Sequence, residues 1–350
     1  MSEPTKSETL DRVLDAALSR AGDEPVQFDV AAGKAALAAA LQMRTPVAAH
    51  RPRRRGRWLA AAAAVTVLAG GGLVASTVDL TGVGSNSATA AEELIKAADL
   101  ASRVVERPIA PGQYWYVRSR YEGIMAEYGG TKASYTDMVQ EEWVPADRRD
   151  EWMFRNKINS VKWLPGHEGD GKPEAATSFQ DGAEFRAKCG NYSYFAEGQP
   201  DRCTVASFHN PSPEFIAALP KDPRELLAKL RAEGHDNDAG AFMAAVEALR
   251  TGRYPAEVRA NIFRALALLP GLVVTDKRAN LDGKEGVALG KKYYDDFAEI
   301  IIDPANGDFI GNRNVVAEDQ SPDQGGLPKG TVRSSSAVTT SVVGELGARQ

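Results

Sequence analysis

LVVTDKRANLDGKEGVALGKKYYDDFAEIIIDPANGDFIGNRNVVAED, from Leu272 to Asp319, reads as four strands in succession. Val273, Val274, Ile300, Ile301, Ile302, Val315 and Val316 have the β-branched shape that suits a pleated surface. Asp282-Gly283 marks a tight turn between the first two runs. Asp303-Pro304-Ala305-Asn306-Gly307 marks a hairpin: the proline presets φ and Asn-Gly tolerates positive φ. Short connections between such runs make neighbours antiparallel.

The stretches on either side complete the reading. Upstream lie SPEFIAALP, DPRELLAKLRAEG, AGAFMAAVEALRTG and PAEVRANIFRALALLPG, four helices ending near Leu269. Ser212-Pro213 and Asp222-Pro223 have the form of a cap followed by proline at the first turn. Leu226, Leu227, Leu230, Phe242, Val246, Leu249, Ile262, Leu266 and Leu269 recur at helical spacing. Before them, GQYWYVRSRYEG (Gly112–Gly123) is a strand. Ser134–Lys157 holds two more strands, joined around Pro145-Ala146-Asp147, with Trp143, Trp152 and Phe154 expected in the core. AEELIKAADLASRVVE (Ala91–Glu106) is predicted helical up to Pro108, and SSSAVTTSVVGELG (Ser334–Gly347) is a last strand. Strands, then helices, then strands predict an α+β domain over residues 91–350: an antiparallel, half-barrel-like sheet with helices packed on one face.

Nearer the N-terminus, RPRRRGRWLAAAAAVTVLAGGGLVASTV (Arg51–Val78) places five arginines against 21 residues without charge, Asn, Gln or His. Three readings compete: a permanent anchor, a cleaved export signal, and a buried soluble helix. A helix with no polar face does not suit a globular surface, and 21 residues span the hydrocarbon core. Ala88-Thr89-Ala90 resembles a processing site, but it lies well past the span, and 57 residues precede the span. The reading is therefore a transmembrane helix over 58–78. Arg51, Arg53, Arg54, Arg55 and Arg57 hold residues 1–57 in the cytoplasm, and a linker over 79–90 leads to the extracytoplasmic domain in the cell envelope. Gly71 with Ala75 and Gly72 with Ser76 permit close helix approach within the membrane. The inner segment carries two short helices, Ser7–Gly22 and Phe28–Arg44, either a loose tail or a surface for a cytoplasmic regulator.

Charge divides along the same boundary. Residues 1–57 carry ten Lys/Arg and seven Asp/Glu; the rest carries 32 basic and 40 acidic residues, a net of −8. That excludes an outer domain built to bind nucleic acid, which needs a basic face. The only cysteines, Cys189 and Cys203, are both in the outer part. Outside the cell they are expected to form a disulfide. The alternative, a metal pair, lacks C-x-x-C spacing and has only His209 nearby.

Few motifs carry chemistry. GHEGDGKP (Gly166–Pro173) imitates a phosphate loop, but Pro173 stands where Ser or Thr would bind magnesium, and a loop explains it. His50, His167, His209 and His235 lack metal spacing, and neither H-E-x-x-H nor G-x-S-x-G occurs. Glu141-Glu142 and Asp295-Asp296 are adjacent on strands, so their side chains point to opposite faces and make poor catalytic pairs. Asn191-Tyr192-Ser193 fits a glycosylation acceptor. No nucleophile–base set and no cofactor motif stands out, so the reading is non-enzymatic.

AAEELIKAADLA, PGQYWYVRSR, LLPGLVVTDKRANLDGKEGVALG and IIIDPANGDFIGNRNVV, together with the arginine run and Ala/Gly-rich anchor, resemble a family of single-pass membrane proteins of high-GC actinobacteria. That family has no assigned activity to carry over. At the level of fold, the pattern also resembles lipoprotein-carrier domains, with helices on the concave face of a curved sheet, and transmembrane anti-sigma regulators. The inner segment lacks the His/Cys zinc set of one anti-sigma class. Three functions follow as expectations: an envelope binding or sensor protein for a lipid, peptide or protein; an anti-sigma-type regulator acting through residues 7–44; and an extracytoplasmic enzyme.

Overall fold

In a computed structural model of the chain, the described residues are 77–80, 87–106, 109–127, 130–177, 179–192, 201–321 and 325–349. All belong to the second of two units, Ala61–Gln350. The two helices expected over Ser7–Gly22 and Phe28–Arg44, the arginines Arg51, Arg53, Arg54, Arg55 and Arg57, and the expected span Trp58–Val78, apart from its last two residues, lie outside the described residues. No helix among the described residues is long and apolar enough to cross a membrane.

Those last two residues correct a boundary. Thr77 forms a bridge with Thr331, and the Val78 N–H donates to the Gly330 carbonyl at 2.7 Å. Leu80 is buried. Residues 77–80 are therefore extended backbone docked on the domain, not helix or free linker, because a partner carbonyl and an apolar niche are available to them. The first helix, α1, also starts early, at Ser87, and ends at Ala101 rather than Glu106. The cause lies at Glu106, whose carboxylate accepts from the Ala256 N–H at 2.8 Å and from Arg259 Nη1 at 2.8 Å. It caps a distant helix whose own N-cap, Pro255, offers no side-chain bond.

Among the described residues nine strands form one open antiparallel sheet, order β4-β3-β2-β1-β9-β8-β7-β6-β5. The strands are β1 (Tyr114–Ala126), β2 (Ala133–Pro145), β3 (Glu151–Trp163), β4 (Glu184–Lys188), β5 (Val273–Leu281), β6 (Lys284–Tyr293), β7 (Asp296–Ile302), β8 (Phe309–Val316) and β9 (Val332–Val343). Between β4 and β5 come α2 (Pro213–Ala217), α3 (Pro223–Glu233), α4 (Asp238–Arg250) and α5 (Ala256–Leu266). The Ser212 and Asp222 caps act as read, accepting from the Phe215 and Arg224 N–H groups, and Asn237 adds a third by accepting from the Gly240 N–H. Strand β4 was not among the predicted strands; it is short and pairs only with β3.

The last strand in sequence lies in the middle of the sheet, between β1 and β8. It joins the N-terminal meander β1–β4 to the C-terminal meander β5–β8. Residue parity then assigns the faces. Ala298, Ile300, Ile302 and Leu289 pack with Leu94, Leu226, Leu230, Phe242, Val246, Phe263 and Leu266 under the helices. Glu299, Ile301 and Ala288 point the other way, as period two requires. On that second face the sheet curls: Asp282, at the β5–β6 tip, accepts from Arg118 Nη1 at 2.9 Å and Arg120 Nη1 at 2.8 Å of β1, although β9, β8 and β7 lie between β1 and β6. The inside of the curl is filled by Ala279, Leu281, Ile301, Ile310 and Ala337. The helices thus lie on the face away from the curl.

Candidate functional site

On the helix side the N-terminal meander presents Val117, Ser119, Gln140, Glu142, Trp152 and Phe154, while Tyr116, Glu141, Trp143 and Met153 face the opposite way. Trp143 and Trp152 are both fully buried, as expected, but on opposite faces. Glu141 and Glu142 separate as their adjacency predicts. The Glu141 carboxylate takes hydrogen bonds from Tyr116 Oη at 2.6 Å and Arg349 Nε at 2.6 Å; Glu142 receives Tyr192 Oη at 3.4 Å.

Between this floor and the end of α4 lies a cleft of about 200 Å³. Its far wall is Glu247, Arg250, Thr251 and Arg253, with His209, Arg202 and Tyr192 at the side. The α4–α5 turn reaches the floor because Gly252 has φ +64, and any β-carbon there would meet Thr340 Cγ2 at 2.3 Å. The turn thereby delivers Arg253 to Trp152.

Cys189 and Cys203 are bonded, with Cα atoms 5.2 Å apart. The disulfide fixes Arg202, the residue before Cys203. Asn191 assists: its Oδ1 accepts from the Arg202 N–H at 2.9 Å, and its Nδ2 donates to Asp201 at 2.6 Å. The glycosylation tripeptide thus begins with an asparagine already engaged in this loop. Arg202 Nη1 donates to the Gly190 carbonyl at 2.9 Å.

Trp152 is a platform for two guanidinium groups. Arg202 Cζ stands 4.9 Å from its ring centroid and Arg253 Cζ 5.0 Å, a range where cation–π attraction operates. Trp152 Nε1 donates to the Arg148 carbonyl at 2.8 Å, and Arg148 Nη2 in turn donates to the Arg202 carbonyl. Burial pushes the Arg253 guanidinium down to about 10, with Arg202 and Arg148 acting in the same direction and Glu142 against them. Arg148 is likewise lowered, by burial first and then by Arg202. Beside them Glu247 is an engaged carboxylate, 2.9 Å from Arg250 Nη1 and 3.6 Å from His209 Nδ1. Burial pushes Glu247 up, but His209 and Arg250 hold it below the usual range.

The cysteines, with His209 near them, are legible in the sequence, whereas Arg148, Arg202 and Arg253 are not marked by any motif. The available signals were local: Asp-Arg-Cys at 201–203, and Thr-Gly-Arg-Tyr-Pro after a helix at 251–255. His167 bonds the Thr131 carbonyl and, with His235, lies outside the cleft. No helix follows Lys172 in the Gly166–Pro173 loop among the described residues. No group of three or more His, Cys, Asp or Glu suited to a metal occurs among the described residues. No protein-family model, curated protein or solved structure matches this chain.

Proposed function

We propose that this chain is a single-pass, membrane-anchored envelope protein whose α+β domain is a non-catalytic binding and sensing module. Its ligand site is the cleft between β1–β3 and the α4–α5 turn. One observation carries the reading. The helix layer and the sheet part at a polar cleft whose wall includes Arg253, nine-tenths buried and with its Nε unpartnered. Buried donors normally find acceptors, so such a group at an opening favours a missing partner over a purely structural role. The filled interior of the curl supports a polar ligand over an acyl chain. The arginine run and the uncharged span support the anchor, with residues 7–44 free to relay binding to a cytoplasmic regulator.

Two measurements test this. Protease treatment of intact spheroplasts should digest residues 87–349 and leave a membrane-held N-terminal fragment; full protection would overturn the topology. For the site, the full chain in detergent is screened by thermal shift against anionic, cationic and neutral small molecules, beside Ser119→Trp, which fills the cleft. Ligands should stabilise the native chain and not the variant. Equal responses in both would remove the cleft from the reading.

A further inference from the structure

Three arginines gather around Trp152 from three separate loops: the Arg202 and Arg253 guanidiniums lie over its ring, and Arg148 meets it through its carbonyl. Arg148 leaves the β2–β3 turn, Arg202 sits beside the disulfide, and Arg253 follows α4. None has a carboxylate within ion-pair distance among the described residues, where twenty-one other contacts join Lys, Arg or His to Asp or Glu. Their donors go to main-chain oxygens instead: Arg148 to Arg202, Arg202 to Gly190, and Arg253 Nη2 to His209 at 3.0 Å. Nε of Arg148 and Nε of Arg253 are buried with no acceptor.

Taking a guanidinium out of water costs several kcal/mol unless an anion compensates it. Here neighbouring guanidiniums also repel one another. Carbonyl dipoles and the Trp152 ring offset part of that cost, and Glu142 faces the group as one carboxylate against three cations. Glu247 contributes little more, because Arg250 and His209 already hold it. A net positive charge remains beside an open cleft, in a domain whose overall charge is negative. The cations are recessed, so a polyanion, which needs an exposed basic face, does not fit them. A small anion does: a guanidinium fork matches a carboxylate or phosphate two bonds at a time.

We propose that the cleft binds a small soluble organic anion, its carboxylate or phosphate group taken by Arg253 with Arg202 beside it on Trp152, and its remainder lying over Phe154 and Tyr192. This deepens the proposed function and rests on it.

The test measures the melting temperature and calorimetric binding of the full chain in detergent, with inorganic phosphate and citrate as probes at matched ionic strength. Saturable stabilisation is expected from at least one probe. Arg253→Met should weaken its binding by about ten-fold or more, Arg202→Met by less, and Arg253→Lys should restore only part, since the fork is lost. Arg278→Met, which alters an exposed pair with Glu285, should leave binding unchanged. If Arg253→Met does not fold, Arg202→Met and Arg253→Lys decide the matter. Unsaturable stabilisation by both probes, or saturable binding unaffected by the Arg202 and Arg253 changes, overturns the proposal. Neutral or cationic compounds that bind the native chain but not Ser119→Trp would leave the cleft as a binding site and sink the anion alone; absence of any Ser119-sensitive ligand would sink both.

Discussion

At the scale of the residue, Gly252 and Glu299 show how single side chains set the site and its support. Gly252 holds φ +64 with the sheet pressed against it. Gly252→Ala should destabilise by about 1–3 kcal/mol through positive φ and the clash with Thr340, and it should also displace Arg253. Denaturant unfolding checks the first effect; an unchanged midpoint would show that the turn has room to move. Glu299 is buried against Arg313, which also reaches Asp276 at 3.1 Å. Removing one partner of a buried pair typically costs about 3–5 kcal/mol, toward the lower end here because Asp276 still faces Arg313. Glu299→Ala should lose that much, while Glu285→Ala, in an exposed pair with Arg278, should lose under about 1 kcal/mol. Similar losses for both would contradict the burial argument.

At the scale of the element, the β5–β6 hairpin acts as a clasp. Its turn was readable because Asp282 and Gly283 both adopt positive φ, 48 and 82, which few residue pairs tolerate. Its function as a clasp was not readable, since Arg118 and Arg120 come from β1, distant in sequence and separated from β6 by β9, β8 and β7. Burial pushes the Asp282 carboxyl up, but Arg120 and Arg118 hold it below the usual aspartate value. A carboxylate with a lowered folded pKa adds stability that is present above its unfolded pKa and lost as pH falls through the folded value. Stability of the native chain should therefore exceed that of Asp282→Asn at neutral pH, and the difference should shrink below about pH 4. Urea midpoints across that range measure it; a pH-independent difference would mean that the ion pairs do not tie down the tip. Glu106 makes the same point about elements. Its helical stretch seemed to run on in sequence, yet the chain breaks away to cap α5.

At the scale of the whole molecule, the disulfide joins stability to the site. Cys189→Ser with Cys203→Ser opens a loop of about 15 residues and should cost on the order of 3 kcal/mol. It should also weaken anion binding, because Arg202 is fixed by the adjoining cysteine and by Asn191. Reduction of the native protein should reproduce both effects. Loss of stability with unchanged binding would separate the staple from the cleft. Strand β9 has a comparable reach: it pairs with β1 on one side and β8 on the other, so the sheet becomes continuous only once the last strand is in place.

The order and type of the elements follow from the sequence. Period-two runs, helical spacing, cap residues and Asp-Gly or Asn-Gly turns act over a few residues, so α2 to α5 and β5 to β8 fall close to their predicted positions. The opposite directions of Glu141 and Glu142 follow from the same short-range rule. The order of strands, the curl and the site were decided by tertiary structure. Nothing local says that Val332–Val343 pairs with Tyr114–Ala126, because strand partners are chosen by burial across long loops. Nothing local gathers Arg202 and Arg253 onto Trp152 with Arg148 beside them, because each is an ordinary arginine until the fold takes away water and brings it beside the others. Charge in a low-dielectric setting is a property of the assembled neighbourhood, and it arises only when distant segments meet.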